Sequence, residues 1–198
     1  MANAKELPPL EYLNECFTYE PQTGLLTWKK RPESHFKNKQ VCGASNTRYA
    51  GKEAGTVNKV NGYRVVKLDG RLWAAHRISW ALANNAQPCT TLEIDHLNHD
   101  RLDNRAKNLS LGSAQANMRN QSMRSTNTSG RIGVYWAKDR EKWSAQIQVD
   151  GRTKYLGFFT TIIDAVVARI KAEKLYGYNK NHGTTVASND SLHLDEVA

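Results

Sequence analysis

The sequence predicts an α+β protein built from two units. A strand–loop–strand–helix unit comes first, and a three-stranded antiparallel sheet packed on one helix follows it. Three observations carry this expectation. Residues 92–120 run from the apolar stretch LEIDHL through a polar loop at 98–105 to NLSL, and then to SAQANMRNQ, a helix start with Ser113 as its N-cap. Farther on, GVYWAK, KWSAQIQVD and KYLGFFT read as strands, with Asp150-Gly151 turning the second into the third, and residues 161–176 read as an amphipathic helix. Between the two lies SMRSTNTSGR at 122–131, whose Ser/Thr/Asn/Gly content is that of a linker. The expected division is therefore 1–121, linker 122–131, second domain 132–182 and tail 183–198.

The remaining elements follow in order. Residues 10–17 read as a short helix, and YEPQTGLLTW as a turn at Pro21 and Gly24 leading into a strand. Residues 30–55 are basic, contain glycine and read as irregular. Asp69-Gly70 between YRVVKL and RLWAA is a strong hairpin signal. HRISWALANN at 76–85 turns helical, with Ile78, Ala81 and Leu82 on one face. In the helix at 161–176, Ile163, Val166, Val167, Ile170 and Leu175 fall near one face, which marks them as its core side.

The net charge of the 198 residues is +9, and between Arg101 and Lys154 eleven Lys/Arg stand against four Asp/Glu. A basic stripe of this kind suits a polyanion, most often nucleic acid. Cys16, Cys42 and Cys89 are far apart and form no C-x-x-C, so a cysteine-based structural zinc site is not expected. Their pattern and the lack of a signal-peptide pattern suit a reducing, intracellular setting. No apolar run reaches the ~20 residues of a membrane span.

The stretch EIDHLNHDRLDNRAKNLSL at 93–111 is too polar for a core strand or an amphipathic helix. Asp95 and His96 close a strand, where adjacent side chains point to opposite faces unless the pair lines the mouth of the loop. Asn117 lies on the following helix, which can fold back toward that strand. Two oxygen ligands, with water and a phosphate oxygen, suit one Mg²⁺ or Mn²⁺ ion. A neutral histidine beside them suits a general base on water.

The form D-H-x-N-x-D-x-x-D-N-R-x-x-N-L, with the upstream His76-Arg77, resembles the HNH nucleases of the ββα-metal fold, in the branch found in phage and group I intron homing endonucleases. The resemblance covers about residues 60–120. It implies His96 as the residue that activates water, Asn108 as a residue that holds the loop and the base histidine, and Asp95 with Asn117 as the single-metal pair. Arg77 and Arg105 become candidates for the scissile or a neighbouring phosphate. Asn117 stands where many members have histidine. The implied chemistry is hydrolysis of a DNA phosphodiester to a 5′-phosphate and a 3′-hydroxyl, and the implied setting is a phage-encoded protein in the cytoplasm of a bacterial host. With one site per chain, nicking is natural, and a double cut needs two chains or two passages.

Gly133-Val134, Lys142-Trp143, Leu156-Gly157-Phe158-Phe159-Thr160 and Asp164-Ala165 resemble the Apetala-two/ethylene-response-factor DNA-binding domain, which lays a three-stranded sheet in the major groove. The alternation in KWSAQIQVD sends Trp143, Ala145, Ile147 and Val149 inward and Ser144, Gln146 and Gln148 outward. Glutamine reads adenine well. Tyr135, Thr153 and Tyr155 fall where that family has contacting residues. Lys138, Arg140, Lys142, Arg152 and Lys154 are expected on phosphates. The rival from another class is a sequence-specific DNA-binding regulator whose HNH-like domain does not cut. An RNA-binding module is the weaker third reading, since neither an RNP aromatic signature nor a KH loop is present.

Overall fold

In the computed structural model, which describes residues 5–184, the chain divides into two compact units. One contains residues up to 96 together with 100–113; the other contains 97–99 and the chain from 114 onward. The division thus falls ahead of the segment whose composition suggested a linker. Residues 119–123 are tied down instead: Asn179 N donates to Arg119 O (3.0 Å), Gly183 N to Gln121 O (2.8 Å) and Met123 N to Thr184 O (3.4 Å). Ser129 Oγ lies 2.6 Å from Val134 O and 2.9 Å from Arg131 O, with its one proton directed at these carbonyls. The Ser/Asn/Gly content there serves local turn bonding, which composition alone does not separate from a solvated tether.

The first unit opens with helix α1 (Leu10–Cys16), which passes directly into the hairpin β1 (Phe17–Glu20) and β2 (Leu25–Trp28). A helix α2 (Lys39–Tyr49) follows where irregular chain was expected; Asn38 caps it by accepting from Val41 N at 2.9 Å. None of its residues is buried, so it has no apolar stripe for periodicity to detect. Strands β3 (Thr56–Val57), β4 (Arg64–Leu68) and β5 (Arg71–Ala74) form a sheet in that order. Asp69 and Gly70 both have positive φ, 49° and 78°, as a two-residue hairpin turn demands. Helix α3 (Ala75–Asn84) ends on Asn85 in the left-handed conformation. Leu13, Phe17, Leu26, Trp28, Val66 and Ile78 are buried in one cluster that joins α1, both sheets and α3. From it emerge β6 (Glu93–His96) and β7 (Leu109–Gly112), paired antiparallel with Asp95 opposite Ser110 and His96 opposite Leu109.

The second unit holds the short helix α4 (Ala114–Met118), strands β8 (Val134–Ala137), β9 (Lys142–Val149) and β10 (Arg152–Phe159), and helix α5 (Ile162–Leu175). The sheet order is β10–β9–β8, and α5 packs on it through Ala165, Ile162 and Val166 against Val134, Ala145 and Trp143. The buried side of α5 differs from the expected one. Ala165, Arg169, Ala172 and Glu173 are buried there, while Ile163, Val167, Ile170 and Leu175 are exposed. An ion network takes the packing side: Arg169 Nε donates to Glu173 Oε1 (2.8 Å), Arg131 holds the other carboxylate oxygen, and Arg169 Nη1 donates to Gln146 O (2.5 Å). Because each charge is partnered, burial is tolerated. Gly133 is required beside it: φ is +77°, and a Cβ would stand 2.4 Å from Gln146 O and 2.7 Å from the Arg169 guanidinium.

Candidate active site

Burial alternates along β6, with Ile94 and His96 8% and 2% exposed and Asp95 half-buried between them. Asp95 and His96 leave opposite sides of the strand, and because His96 is its last residue the pair stands where the strand gives way to the loop. His96 Nε2 lies 3.2 Å from Asn104 Oδ1. A carboxamide oxygen can only accept, so Nε2 carries the proton and donates, which places the imidazole lone pair on Nδ1. The ring is packed among aromatics: Tyr63 and His76 have centroids 5.8 and 5.3 Å away, the latter edge-on. Burial holds the His96 pKa below the usual histidine range, against the opposing pull of Asn104 and the carboxylates Asp95, Asp100 and Asp103. His76 is pushed down to about 3, first by burial and then by His96 and Arg77. Both rings are neutral at ordinary pH.

The loop that supplies Asn104 is braced by the N-terminal hairpin. Tyr19 OH donates to Asn104 O (2.8 Å), and Ala106 N donates to Pro21 O (3.0 Å). Gly24, with φ +75°, sits so close that a Cβ would meet Arg105 N and Asn104 C, each at 2.6 Å. Asn108 is buried and its Nδ2 donates to Asp103 O (2.7 Å). It holds the loop, and Asn104 supplies the bond to Nε2 of the histidine. Asp103 in turn grips Arg105 through two bonds, Nε to Oδ1 (2.7 Å) and Nη2 to Oδ2 (2.5 Å), which aims a partly exposed guanidinium. Arg77 is turned inward, 9% exposed, and donates to Pro88 O (3.2 Å) and Leu92 O (3.5 Å). It fixes the chain that leads into β6.

Asn117 lies on α4, in the second unit. In that unit Asn181 Nδ2 donates to Leu97 O (2.8 Å) and Asn181 O accepts from His99 Nε2 (2.8 Å), so residues 97–99 are pinned there. Among the described residues no group of three or more His, Cys, Asp or Glu is placed to hold a metal. Asp95, in the first unit, carries a carboxylate, and Asn117, in the second, a carboxamide oxygen. Each is a hard donor of the kind an ion such as Mg²⁺ takes, since that ion keeps several waters and needs only one or two protein ligands. Sequence reasoning missed Asn104, Tyr19 and Tyr63. Asn104 had a visible signal, since it stands inside Asp103-Asn104-Arg105; the other two come from strands and turns remote in sequence.

On the second unit's sheet, cross-strand partners share a face. Tyr135 pairs with Ser144, Gln146 with Tyr155, and Gln148 with Thr153, so these stand opposite α5 with Lys142. Tyr155 is 71% and Tyr135 41% exposed, but Ser144 is fully buried. Ser144 stands in the outward row that alternation predicts, but it is covered there by the larger Tyr135 and Phe158 that pair with it, so its expected contact with a ligand is corrected. Gln146, Gln148 and Thr153 line a cavity of about 620 Å³ with Gln115, Met118 and Arg119. Lys138 and Arg140 are exposed at the β8–β9 turn. Arg152 and Lys154 fall on the α5 side by register, and the Lys154 ammonium lies 5.0 Å over the Tyr176 ring.

Residues 74–119 match the HNH endonuclease family model. Over 73 residues, 37% of this chain, the sequence is 33% identical to Protein 3.8 of Escherichia phage T7, and the match spans 60% of that protein's length. No solved structure matches the chain. Among the described residues no helix is long and apolar enough to cross a membrane.

Proposed function

We propose that this chain is a metal-dependent, site-specific DNA endonuclease of the homing type, acting inside a bacterial host. The observation that carries the proposal is a buried, neutral His96 whose Nε2 proton is fixed by Asn104, within a segment that matches the HNH endonuclease model. In this reading Nδ1 of His96 accepts a proton from water as that water attacks phosphorus in line, opposite the 3′ oxygen. Arg105, steadied by Asp103, meets a phosphate oxygen, and a guanidinium is well matched to that task. Arg77 and Asn108 act by holding the backbone on either side of the strand pair. Asp95 and Asn117 would hold one Mg²⁺ or Mn²⁺, which when bound polarises the phosphoryl oxygen and stabilises the leaving oxygen. The products are a 5′-phosphate and a 3′-hydroxyl.

Recognition is assigned to the second unit, whose sequence resembles a groove-reading DNA-binding domain. Tyr135, Gln146, Gln148 and Tyr155 supply base contacts, and Lys138, Arg140 and Lys142 lie along phosphates; Arg152 and Lys154, expected on phosphates, stand on the α5 side instead and take no part in this assignment. The test is incubation of supercoiled plasmid with the protein and Mg²⁺. Nicking should appear, stop with EDTA, and slow at least ~100-fold in His96→Ala while duplex binding holds. A protein that binds duplex and never cuts is instead a regulator.

A further inference from the structure

The first unit carries a basic groove that neither the His96 site nor the C-terminal sheet uses. It has a volume of about 500 Å³ and is lined on one side by α2 and on the other by residues of β3, β4 and β5. Thr56 pairs with Val65, and Lys67 with Leu72, so these four project from one face of the sheet. Leu72 is 64% and Tyr49 43% exposed, and both line the groove together with Lys29, Arg48, Lys52 and Lys67. None of these four cations forms an ion pair among the described residues. The one carboxylate in the lining, Glu53, is bound to Arg64 at 2.9 Å. Arg31 is buried and committed to Asp69 at 2.8 Å.

The helix beside the groove is built for something outside the fold. No α2 residue is buried, and polar pins attach it: Asn46 Oδ1 accepts from Arg31 N and Asn46 Nδ2 donates to Arg31 O, both at 2.9 Å. Gly43 sits mid-helix with open space where a Cβ would go. It costs about 1 kcal/mol against alanine, and no internal packing requires it. A helix held this way gains little from the core, and four cations without a carboxylate partner around one groove, Lys29 held only by the Asn14 carbonyl at 2.7 Å, repel each other without a counter-ion. A polyanion with apolar faces between its charges satisfies both features. The sugar–phosphate backbone of DNA has that chemistry, with phosphates for the cations and deoxyribose for Leu72 and Tyr49.

We infer that this groove is a second DNA contact, which seats the backbone of duplex outside the cleavage site. The inference rests on the endonuclease reading and extends it, since that reading places all recognition in the C-terminal sheet. The test uses full-length His96→Ala protein, so that binding is read without cutting. A triple variant, Arg48→Ala with Lys52→Ala and Lys67→Ala, removes three exposed cations. Its charge-matched comparator is Lys171→Ala with Lys174→Ala and Lys180→Ala, which are exposed in the second unit. Affinity for a fluorescent duplex is followed from about 50 to 200 mM salt. The groove variant should flatten the slope of log K against log salt by up to about 2.7, near 0.9 for each phosphate no longer neutralised. The comparator should leave it unchanged. Equal slopes in the groove variant and the parent overturn the inference, as does an equal flattening in the comparator. A parent that binds no duplex at any salt sinks the endonuclease reading itself, an outcome distinct from an unchanged slope. Circular dichroism of both variants distinguishes missing charge from a failure to fold.

Discussion

With Asn104 Oδ1 opposite Nε2, the basic lone pair of His96 belongs to Nδ1. Asn104→Ala removes that bond and frees the ring to turn and to change tautomer, so cleavage should slow roughly 10–100-fold, the usual effect of losing an orienting partner. The pH profile should move as well. Neutral His96 is the active form, so the rate falls on the acid side as the ring takes up a proton, with a midpoint below the ordinary 6.5. Asn104 favours the charged ring, so its loss moves the acid limb to lower pH even as the plateau drops. A limb that stays in place would remove Asn104 from the base. Buried Ser144 gives a contrasting expectation. Its Oγ has no hydrogen-bond partner among the described residues, so Ser144→Ala should leave DNA affinity and preference intact. Gln146→Ala with Gln148→Ala should relax preference at one or two base pairs, each by about 1–3 kcal/mol. Competition binding with base-substituted duplexes reads both.

Among the elements, the β1–β2 hairpin has the least expected role. Gly24 allows its turn to press on the backbone of Asn104 and Arg105. Gly24→Ala should strain a positive φ and push against backbone, and we expect a loss of stability above about 1 kcal/mol together with slower cleavage. Denaturant melts and single-turnover rates measure the two. Nothing near residues 93–111 announces this support, because it is long-range and steric. By contrast, both Asp-Gly turns, the β6–β7 pair and the three C-terminal strands were legible, since each rests on local turn chemistry or on alternation. Two helices show where that reasoning stops. In α2 no apolar stripe exists, so there was nothing periodic to read. In α5 the stripe exists and points outward, because Arg169 and Glu173 neutralise each other and take the packed side. Hydrophobic periodicity sees only apolar side chains and cannot see a charge pair that has become core. Of the candidate site, Asp95, His96, Asn108 and Asn117 stood out by density and spacing, while Asn104 was passed over although it stands in the Asp103-Asn104-Arg105 motif.

At the scale of the molecule, two histidines set an acid limit. His76 in the first unit is pushed down to about 3, and His182 in the second to about 4, in both cases chiefly by burial. The folded form stays neutral while the unfolded chain takes up a proton near pH 6.5. Stability is therefore fully present above about 6.5 and declines as pH falls, toward 3 for the first unit and 4 for the second, by about 1.4 kcal/mol per pH unit for each histidine. Thermal melts at pH 7 and pH 5 should show the fall, and His182→Phe should lessen it for the second unit alone.

The bonds that join residues 119–123 to 179–184 have a topological consequence. Within the second unit, residues 119–123 and 179–184 run side by side. A body whose two ends meet can be cut and rejoined elsewhere, or spliced into an exposed turn of an unrelated host, without prying either partner apart. The stretch from 119 to 184 is such a closed loop of chain, and the strap at 97–99, held by Asn181, ties into it from earlier in the sequence.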